Sequence, residues 1–252
     1  MNAFENVITQ PSSLQARREL AAEWTKVAHP QAKVLSLAMA EHDGLPRLEA
    51  KAARREIREL VDQHGREWAG EFLALFERYE YRLGLIAEIG IRGDVLVEHG
   101  ARIFAHFPIQ HLGLREPMCL EQVFAMPQLR QISTLFLTGD SGDPEAALMA
   151  ACPYLTNLRI GALGDRITAV GMQALATAPS LTNVIALDVT NNPGAHSSVR
   201  GHLFTKQIND SDYLLGQAAV PLYNDALNEA AKGYNCETPD WPPSYVDVAW
   251  TD

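Results

Sequence analysis

The sequence has few cysteines and lacks long apolar runs. Its three cysteines, Cys119, Cys152 and Cys236, are an odd number and form no Cys-x-x-Cys pair, so we expect reduced thiols rather than a disulfide framework or a zinc knuckle. Every apolar run falls short of the roughly 20 residues that a membrane helix needs. Residues 1–10 carry no basic stretch and no apolar core, so we expect no secretory signal. These absences predict a cytoplasmic protein.

Basic side chains are outnumbered by acidic ones. The 252 residues include 21 Lys and Arg against 31 Asp and Glu, a formal net charge of −10. This balance argues against nucleic acid as the main partner, because phosphate contacts need a basic face. Residues 193–252 hold 3 basic and 8 acidic side chains, which is half of the net negative charge. The hydrophobic fraction of 47% is that of an ordinary globular chain.

The N-terminal part of the chain, residues 1–80, has the apolar spacing of helices. Ser12 or Ser13 can cap a helix that carries Leu20 and Trp24. A second amphipathic stretch covers residues 46–63, with Gly65 as a stop signal, and residues 66–80 continue with helical spacing. We therefore predict a helical N-terminal domain over residues 1–80.

Short apolar-x-apolar pairs recur between residues 81 and 192. The pairs are Ile89/Ile91, Leu112/Leu114, Leu135/Leu137, Leu158/Ile160 and Leu187/Val189, and all but the last of the intervals between them are identical. Helix-like stretches that end in proline lie between them, and three continue as Pro-x-Leu, at Pro127, Pro153 and Pro179. A strand alternating with a helix at a period in the twenties is the leucine-rich-repeat pattern. The alternative is an ordinary α/β domain with accidental regularity.

We predict an α/β leucine-rich-repeat solenoid of about five short repeats over residues 81–192. A helical N-terminal cap precedes it, and an irregular C-terminal segment, residues 193–252, follows it. Such units share one continuous core because a single strand–helix unit cannot bury its apolar side alone. Within the C-terminal segment we expect a loop over 193–212 and a short helix over 221–232. Trp241, Tyr245 and Trp250 are expected to cover the last repeat, the alternatives being a docking peptide or disorder.

Two segments carry a family resemblance. Residues 86–192 resemble bacterial leucine-rich repeats of the ribonuclease-inhibitor-like kind, with Gly164-Asp165, Ile167, Gly171 and Ala174-Leu175-Ala176 matching that family's helix segment. Phe4, Val7-Ile8, Pro11, Arg17, Leu20-Ala21, Glu23-Trp24, His29-Pro30 and Ala32 resemble the small repeat-companion domain that some bacteria place before such repeats. The resemblance implies a non-enzymatic protein–protein interaction module. The asparagine expected after each strand is present only at Asn191 and Asn192, so we expect an irregular solenoid.

No catalytic or metal-binding constellation stands out. Gly139-Asp140-Ser141-Gly142 resembles the nucleophile loop of chymotrypsin-like proteases, but Asp143 replaces a glycine and would oppose an oxyanion. The spacing of His106, His111 and Cys119 is unlike that of a zinc site. We predict no catalytic residue, no metal and no cofactor. A hydrolase that uses Ser141 or Cys152 is the enzymatic alternative.

The positions between the strand apolars are the candidate binding residues. They should face away from the core, and those we assign to partner binding are Arg92, Arg115, Phe136, Arg159 and Asp188. Phe136 and Arg159 are expected in one column of the sheet, with Arg115 beside it. Alternatively, the N-terminal helices or the C-terminal segment cover Phe136. A second function that fits the net charge is an inhibitor or immunity-type protein that occludes a basic partner; neither function requires a membrane.

Overall fold

The computed structural model describes residues 2–115, 118–137, 139–208 and 211–216. Across these residues the chain is mixed α/β, with eight α-helices and one eight-stranded sheet, which confirms the predicted α/β class. The helices are α1 (Ala3–Thr9), α2 (Leu14–Lys26), α3 (Ala32–His42), α4 (Arg47–Ala69), α5 (Gly93–His106), α6 (Leu120–Phe124), α7 (Asp143–Ala151) and α8 (Ala169–Thr177). The strands are β1 (Arg78–Arg82), β2 (Leu85–Arg92), β3 (His111–Arg115), β4 (Thr134–Leu137), β5 (Ile160–Ala162), β6 (Ala186–Asp188), β7 (Leu203–Ile208) and β8 (Ser211–Gly216).

The described residues also form three short 3-10 helices, over Gly70–Leu75, Pro127–Gln131 and Pro179–Leu181. None of the described helices combines the length and the apolar character that crossing a bilayer requires. The helix predicted over 221–232 and the aromatic residues Trp241, Tyr245 and Trp250 lie outside the described residues.

The N-terminal helices begin where the sequence has capping residues. Ser13 Oγ accepts a hydrogen bond from the Ala16 amide at 3.2 Å, which confirms the predicted cap of α2. The prediction that Gly65 ends α4 is wrong, because the helix continues to Ala69. Gly65 is instead the site where β1 comes close: a Cβ there would lie 3.2 Å from the Tyr81 ring, and the Tyr81 hydroxyl donates to the Gly65 carbonyl at 3.0 Å.

Residues 66–80 are only partly helical. They comprise the end of α4, the 3-10 helix Gly70–Leu75 and the start of β1. Strand β1 therefore crosses the predicted domain boundary at residue 80. It pairs antiparallel with β2 through the turn at Leu83 and Gly84, both of which have positive φ. The helical spacing in this segment comes from aromatic residues that pack on the sheet, including Phe72 and Tyr79.

The sheet has the order β1-β2-β3-β4-β5-β6-β8-β7. Strands β2 to β6 are parallel and adjacent in chain order. Helices α5, α6, α7 and α8 lie in the connections between them. The loop predicted over 193–212 is wrong in its second half, because β7 and β8 form a hairpin that pairs antiparallel with β6.

The register of β5 differs from the prediction. Leu112 pairs with Leu135, as expected, but Leu135 pairs with Gly161, and Gly161 pairs with Leu187. Leu158 is fully buried, yet it lies before β5 rather than in it. A Cβ on Gly161 would lie 2.8 Å from the Leu135 carbonyl oxygen and 2.9 Å from Leu187 Cδ2. Glycine thus occupies a leucine position because the neighbouring strands leave no room for a side chain.

The two larger hydrophobic cores of the described residues are separate from each other. The larger one includes the inward side chains of the sheet and residues of α5, α6, α7 and α8. The smaller one joins α1, α2 and α3 to the start of β2, and its largest members are Leu20, Trp24 and Leu35 with Leu85. The buried Arg17 also links these parts, since its guanidinium donates to the Pro11 carbonyl at 3.0 Å and to the Leu83 carbonyl at 3.4 Å.

Candidate binding surface on the sheet

One face of the sheet carries the candidate binding residues. The alternate side chains of β2, β3 and β4 are buried in the larger core, so the residues between them lie on the opposite face, which we call the open face. Its central row follows from the strand register and contains Gly90, Gly113, Phe136, Ala162, Asp188 and Tyr213. A second row contains Glu88, His111, Thr134, Ile160, Ala186 and Leu215.

The open face is strongly charged at β1 and β2. Glu88, only 8% exposed, accepts a hydrogen bond from Arg82 Nε at 2.8 Å and lies 3.7 Å from Arg78. Arg78 and Arg82 both also contact Glu80. His111 pairs with Glu88 across the sheet. Burial, aided by the charge of Arg82, lowers the pKa of His111 to about 4, so this imidazole is neutral at pH 7.

Arg92 and Arg115 are paired neighbours on β2 and β3. Each has a carboxylate beside it: Arg92 Nη2 lies 2.9 Å from Asp94, and Arg115 Nε lies 3.5 Å from Glu77. The hydrogen bond from Arg92 lowers the pKa of the Asp94 carboxyl. These carboxylates offset the positive charge that the arginines alone would give the surface, while both guanidinium groups keep part of their surface in solvent.

The predicted neighbourhood of Phe136 and Arg159 is wrong. Phe136 pairs with Ala162, and Arg159 lies three residues earlier, before β5 begins. The Arg159 amide instead donates to the Ser133 carbonyl at 2.9 Å. The error arises because the unit that ends in β5 is longer than the unit that ends in β4. Phe136 itself is half-buried between the small residues Gly113 and Ala162.

The other end of the open face is apolar. Ala186 and Leu215 are buried there, and Ile185, Phe204 and Tyr213 pack around them. This cluster was missed from the sequence because the β7–β8 hairpin was not predicted. Asp188 lies in the adjoining central row and accepts hydrogen bonds from the Thr190 amide at 2.9 Å and the Thr190 hydroxyl at 2.6 Å. It is half-buried and faces the same side of the sheet as Phe136.

The segment that resembles a protease nucleophile loop lies before α7 and close to the start of α8. Ser141 is 1% exposed, and its hydroxyl has no hydrogen-bond partner within the described ranges. Asp143 accepts from the Thr168 amide at 2.7 Å, the Thr168 hydroxyl at 2.6 Å and the Gly171 amide at 3.0 Å. These bonds, the one from the Thr168 side chain first, lower the pKa of Asp143. The carboxylate thus caps α8 from the preceding strand–helix unit.

Cys152 is buried and contacts the Phe124 carbonyl through Sγ at 3.2 Å. Burial raises the pKa of this thiol, which favours the protonated form over the nucleophilic thiolate. His106 lies at the end of α5 and His111 on β3, whereas Cys119 is exposed before α6. Among the residues that the structure describes, no three His, Cys, Asp or Glu side chains are grouped as metal ligands would be.

Comparisons of the chain with protein-family models, with curated proteins and with solved structures gave no match.

Proposed function

We propose that the chain is a non-enzymatic protein–protein interaction module that binds a partner protein on the open face of the sheet. In this proposal strands β2 to β6 and their helices are the repeats of a leucine-rich-repeat solenoid, and α1 to α4 form a repeat-companion domain. The observation that carries the proposal is the single face shared by five parallel strands in chain order, which brings Arg92, Arg115, Phe136 and Asp188 onto one surface.

The backbone between units supports a repeat architecture. The carbonyl groups of Gln110, Ser133 and Arg159 each accept two amide hydrogens from the start of the following strand. The Pro-x-Leu turns at Pro127, Pro153 and Pro179 recur at a constant interval, shortly before the strands. The same backbone pattern at three successive positions is what stacked, equivalent units produce.

Asn192 adds a side-chain link of the kind that repeats share. Its Oδ1 accepts from the Ile167 amide, in the preceding unit, at 2.6 Å. Its Nδ2 donates to the Val189 carbonyl at 3.0 Å, and the residue is 6% exposed. The equivalent position of the preceding unit, counted by the Pro-x-Leu interval, is Arg166, which agrees with the expectation of an irregular asparagine ladder.

The chemistry of the open face indicates the kind of partner. We now centre the site on Phe136, flanked by Arg92 and Arg115 on one side and by Asp188 and Tyr213 on the other, and leave Arg159 out. A half-buried aromatic ring offers apolar contact area, and the arginines offer forked donors. A partner that presents a carboxylate beside an apolar side chain matches both features.

The experiment is affinity capture from a lysate of the source organism with the full chain as bait. Wild type is compared with Phe136→Ala and with Val97→Ala, a matched truncation of a 40% exposed residue on α5. Phe136→Ala should weaken capture by about 2 kcal/mol, or roughly 30-fold, as loss of a hot spot does. Val97→Ala should capture as wild type does.

Circular dichroism of each variant checks that the fold is intact. Capture that survives Phe136→Ala in a folded variant would place the binding site elsewhere. Repeating the capture at two salt concentrations separates the second function: strong loss of a basic partner at high salt favours an inhibitor.

A further inference from the structure

We propose that the open face is occupied within the same molecule by the chain's own C-terminal segment, residues 217–252. The inference rests on the proposed function in one respect, since it treats the open face as a surface that binds peptide. It goes beyond that function by naming an occupant that a partner protein must displace. The proposal is carried by the apolar cluster at one end of the face, by the point where the segment leaves the sheet and by complementary charge.

One end of the open face is closely packed and apolar. Thr134, Ala186 and Leu215 lie in one row of this face and are 2%, 3% and 1% exposed. Helices α5 to α8 contribute to the core on the opposite face of the sheet. The apolar cluster around Phe204 covers Ala186 and Leu215 in part, whereas Thr134 lies two strands away from β6, on β4. Thr134 is flanked in its row by the larger side chains of His111 and Ile160, so the apolar surface that a peptide could cover lies at the β6 and β8 end of the face.

The segment starts from within the sheet. Strand β8 ends at Gly216 and is adjacent to β6. From β8 to β2 there are five strand spacings of about 4.8 Å, or roughly 24 Å in total. Residues 217–252 could span about 120 Å if extended. The segment is therefore long enough to cross the open face from the apolar cluster at Leu215 to the arginines of β2 and β3.

The composition of the segment complements the face. Residues 217–252 contain six acidic side chains and a single basic one, Lys232, together with Trp241, Tyr245 and Trp250. The face offers the guanidinium groups of Arg92 and Arg115, each of which keeps part of its surface in solvent beside its carboxylate partner, and Phe136 lies close by on β4. Carboxylates pair with forked arginine donors, and indole rings pack on both guanidinium and phenyl groups. The segment thus has the same chemistry that we propose for the external partner.

The test is photo-crosslinking in the full chain at low concentration. A p-benzoylphenylalanine replaces Phe136 in one protein and Val97, on the helical side, in a control protein. Illumination should join position 136 to peptides from residues 217–252 of the same molecule, and position 97 should give no such product. Adding Arg115→Glu should lower the yield at position 136, because it removes a donor for the acidic segment.

A crosslinked dimer would instead assign the face to a second copy of the chain. Products confined to residues 1–216 would also overturn the proposal. If the position 136 variant does not fold, the same label at Tyr213, in the same row, replaces it. Trypsin gives an independent measurement, since Lys232 is the sole trypsin site beyond Lys206. Cleavage there should be several-fold faster in Arg115→Glu than in wild type, and equal rates would contradict the inference.

The two proposals can fail separately. Partner capture that depends on Phe136, without crosslinks to 217–252, would keep the binding function and reject the internal occupant. Crosslinks to 217–252 without Phe136-dependent capture would keep the occupant and reject the function.

Discussion

Asp143 shows how one carboxylate joins two strand–helix units. It begins α7 and at the same time accepts three hydrogen bonds from Thr168 and Gly171 at the start of α8. Asp143→Ala should lower the free energy of unfolding by about 1–2 kcal/mol, as loss of an N-cap does. Urea denaturation at pH 7 measures this. Asp140→Ala, which removes an exposed ion pair with Arg166, should cost well under about 1 kcal/mol.

The same carboxylate should make stability depend on pH. Its pKa is lower in the folded protein than the ordinary value of 3.8. Its contribution is therefore complete above the unfolded pKa and is lost as the pH falls through the folded pKa. The stability difference between wild type and Asp143→Asn should be constant near neutrality and shrink below about pH 4. A difference that persists unchanged at pH 3 would show that the charge has no role.

Gly161 is required by its surroundings rather than by its backbone angles. Gly161→Ala would place a Cβ against the Leu135 carbonyl and the Leu187 side chain. We expect a loss of about 1–3 kcal/mol, the usual cost of overpacking. Ala162→Ser, at the adjacent half-buried position, is the matched control and should change stability little. An unchanged midpoint for Gly161→Ala in thermal denaturation would contradict this account.

Gly161 also explains why the register was mispredicted. Gly161 occupies a position that the repeat pattern gives to leucine, so the pair Gly161-x-Leu163 is not recognised as apolar. The nearby pair Leu158-x-Ile160 has the expected apolar pattern instead. Arg159 was placed beside Phe136 for the same reason. The constant recurrence of Pro-x-Leu contains the correct spacing, so turns were the better guide to register here. Close backbone approach between neighbouring strands is a tertiary effect that no local pattern reveals.

Among the elements, β4 contributes fully buried side chains to the larger core. Leu135 is fully buried and pairs with Leu112 and Gly161 on the adjacent strands. Leu135→Ala should cost about 2–5 kcal/mol in unfolding free energy, as core leucine truncations do. Leu48→Ala on α4, where the side chain is 83% exposed, should cost almost nothing. Similar stabilities for the two variants would contradict the core assignment.

The elements that sequence reasoning missed are the strands at the two ends of the sheet. Strands β2, β3, β4 and β6 follow from apolar pairs at a regular period. Strand β1 has no such pattern, because its residues are all half-buried and all charged or aromatic. The β7–β8 hairpin had a signal in Asn209-Asp210 between two runs of strand-forming residues. The nearby Ser, Gly and His residues obscured it.

On the scale of the whole molecule, the different sizes of the two larger cores predict two levels of stability. The core of α1 to α3 is small, and its connections to the rest include Leu85 and the Arg17 hydrogen bonds. Native-state hydrogen exchange should show amides of these helices opening at a lower free energy than those of β2 to β6. Arg17→Met should lower that opening free energy further while leaving β2 to β6 less affected. Identical opening free energies throughout would indicate one cooperative unit.

Most residues of the candidate surface were predictable from the sequence, but the ion pairs that offset the charge of its arginines were not. Alternation along the strands correctly placed Arg92, Arg115, Phe136 and Asp188 on one face. Their pairing with carboxylates depends on Glu77 and Asp94, which lie just outside the strands. Tyr213 joins the face through the unpredicted hairpin. Side-chain ion pairs of this kind depend on how loops leave the sheet, and the sequence gives no direct measure of that.

The parallel strands are enclosed by antiparallel pairs at both ends, β1 against β2 and β8 against β6. At the start of β4, β5 and β6, amide groups donate to a carbonyl that lies just before the preceding strand. The antiparallel pairs at the two ends of the sheet do not continue this pattern. Genetic duplication of one strand–helix unit between β4 and β6 would therefore find compatible neighbours on both sides. A unit added before β1 or after β7 would not. Units can therefore be added in the middle of the sheet but not at its ends. The two antiparallel pairs limit any change in the number of units to the parallel strands between them.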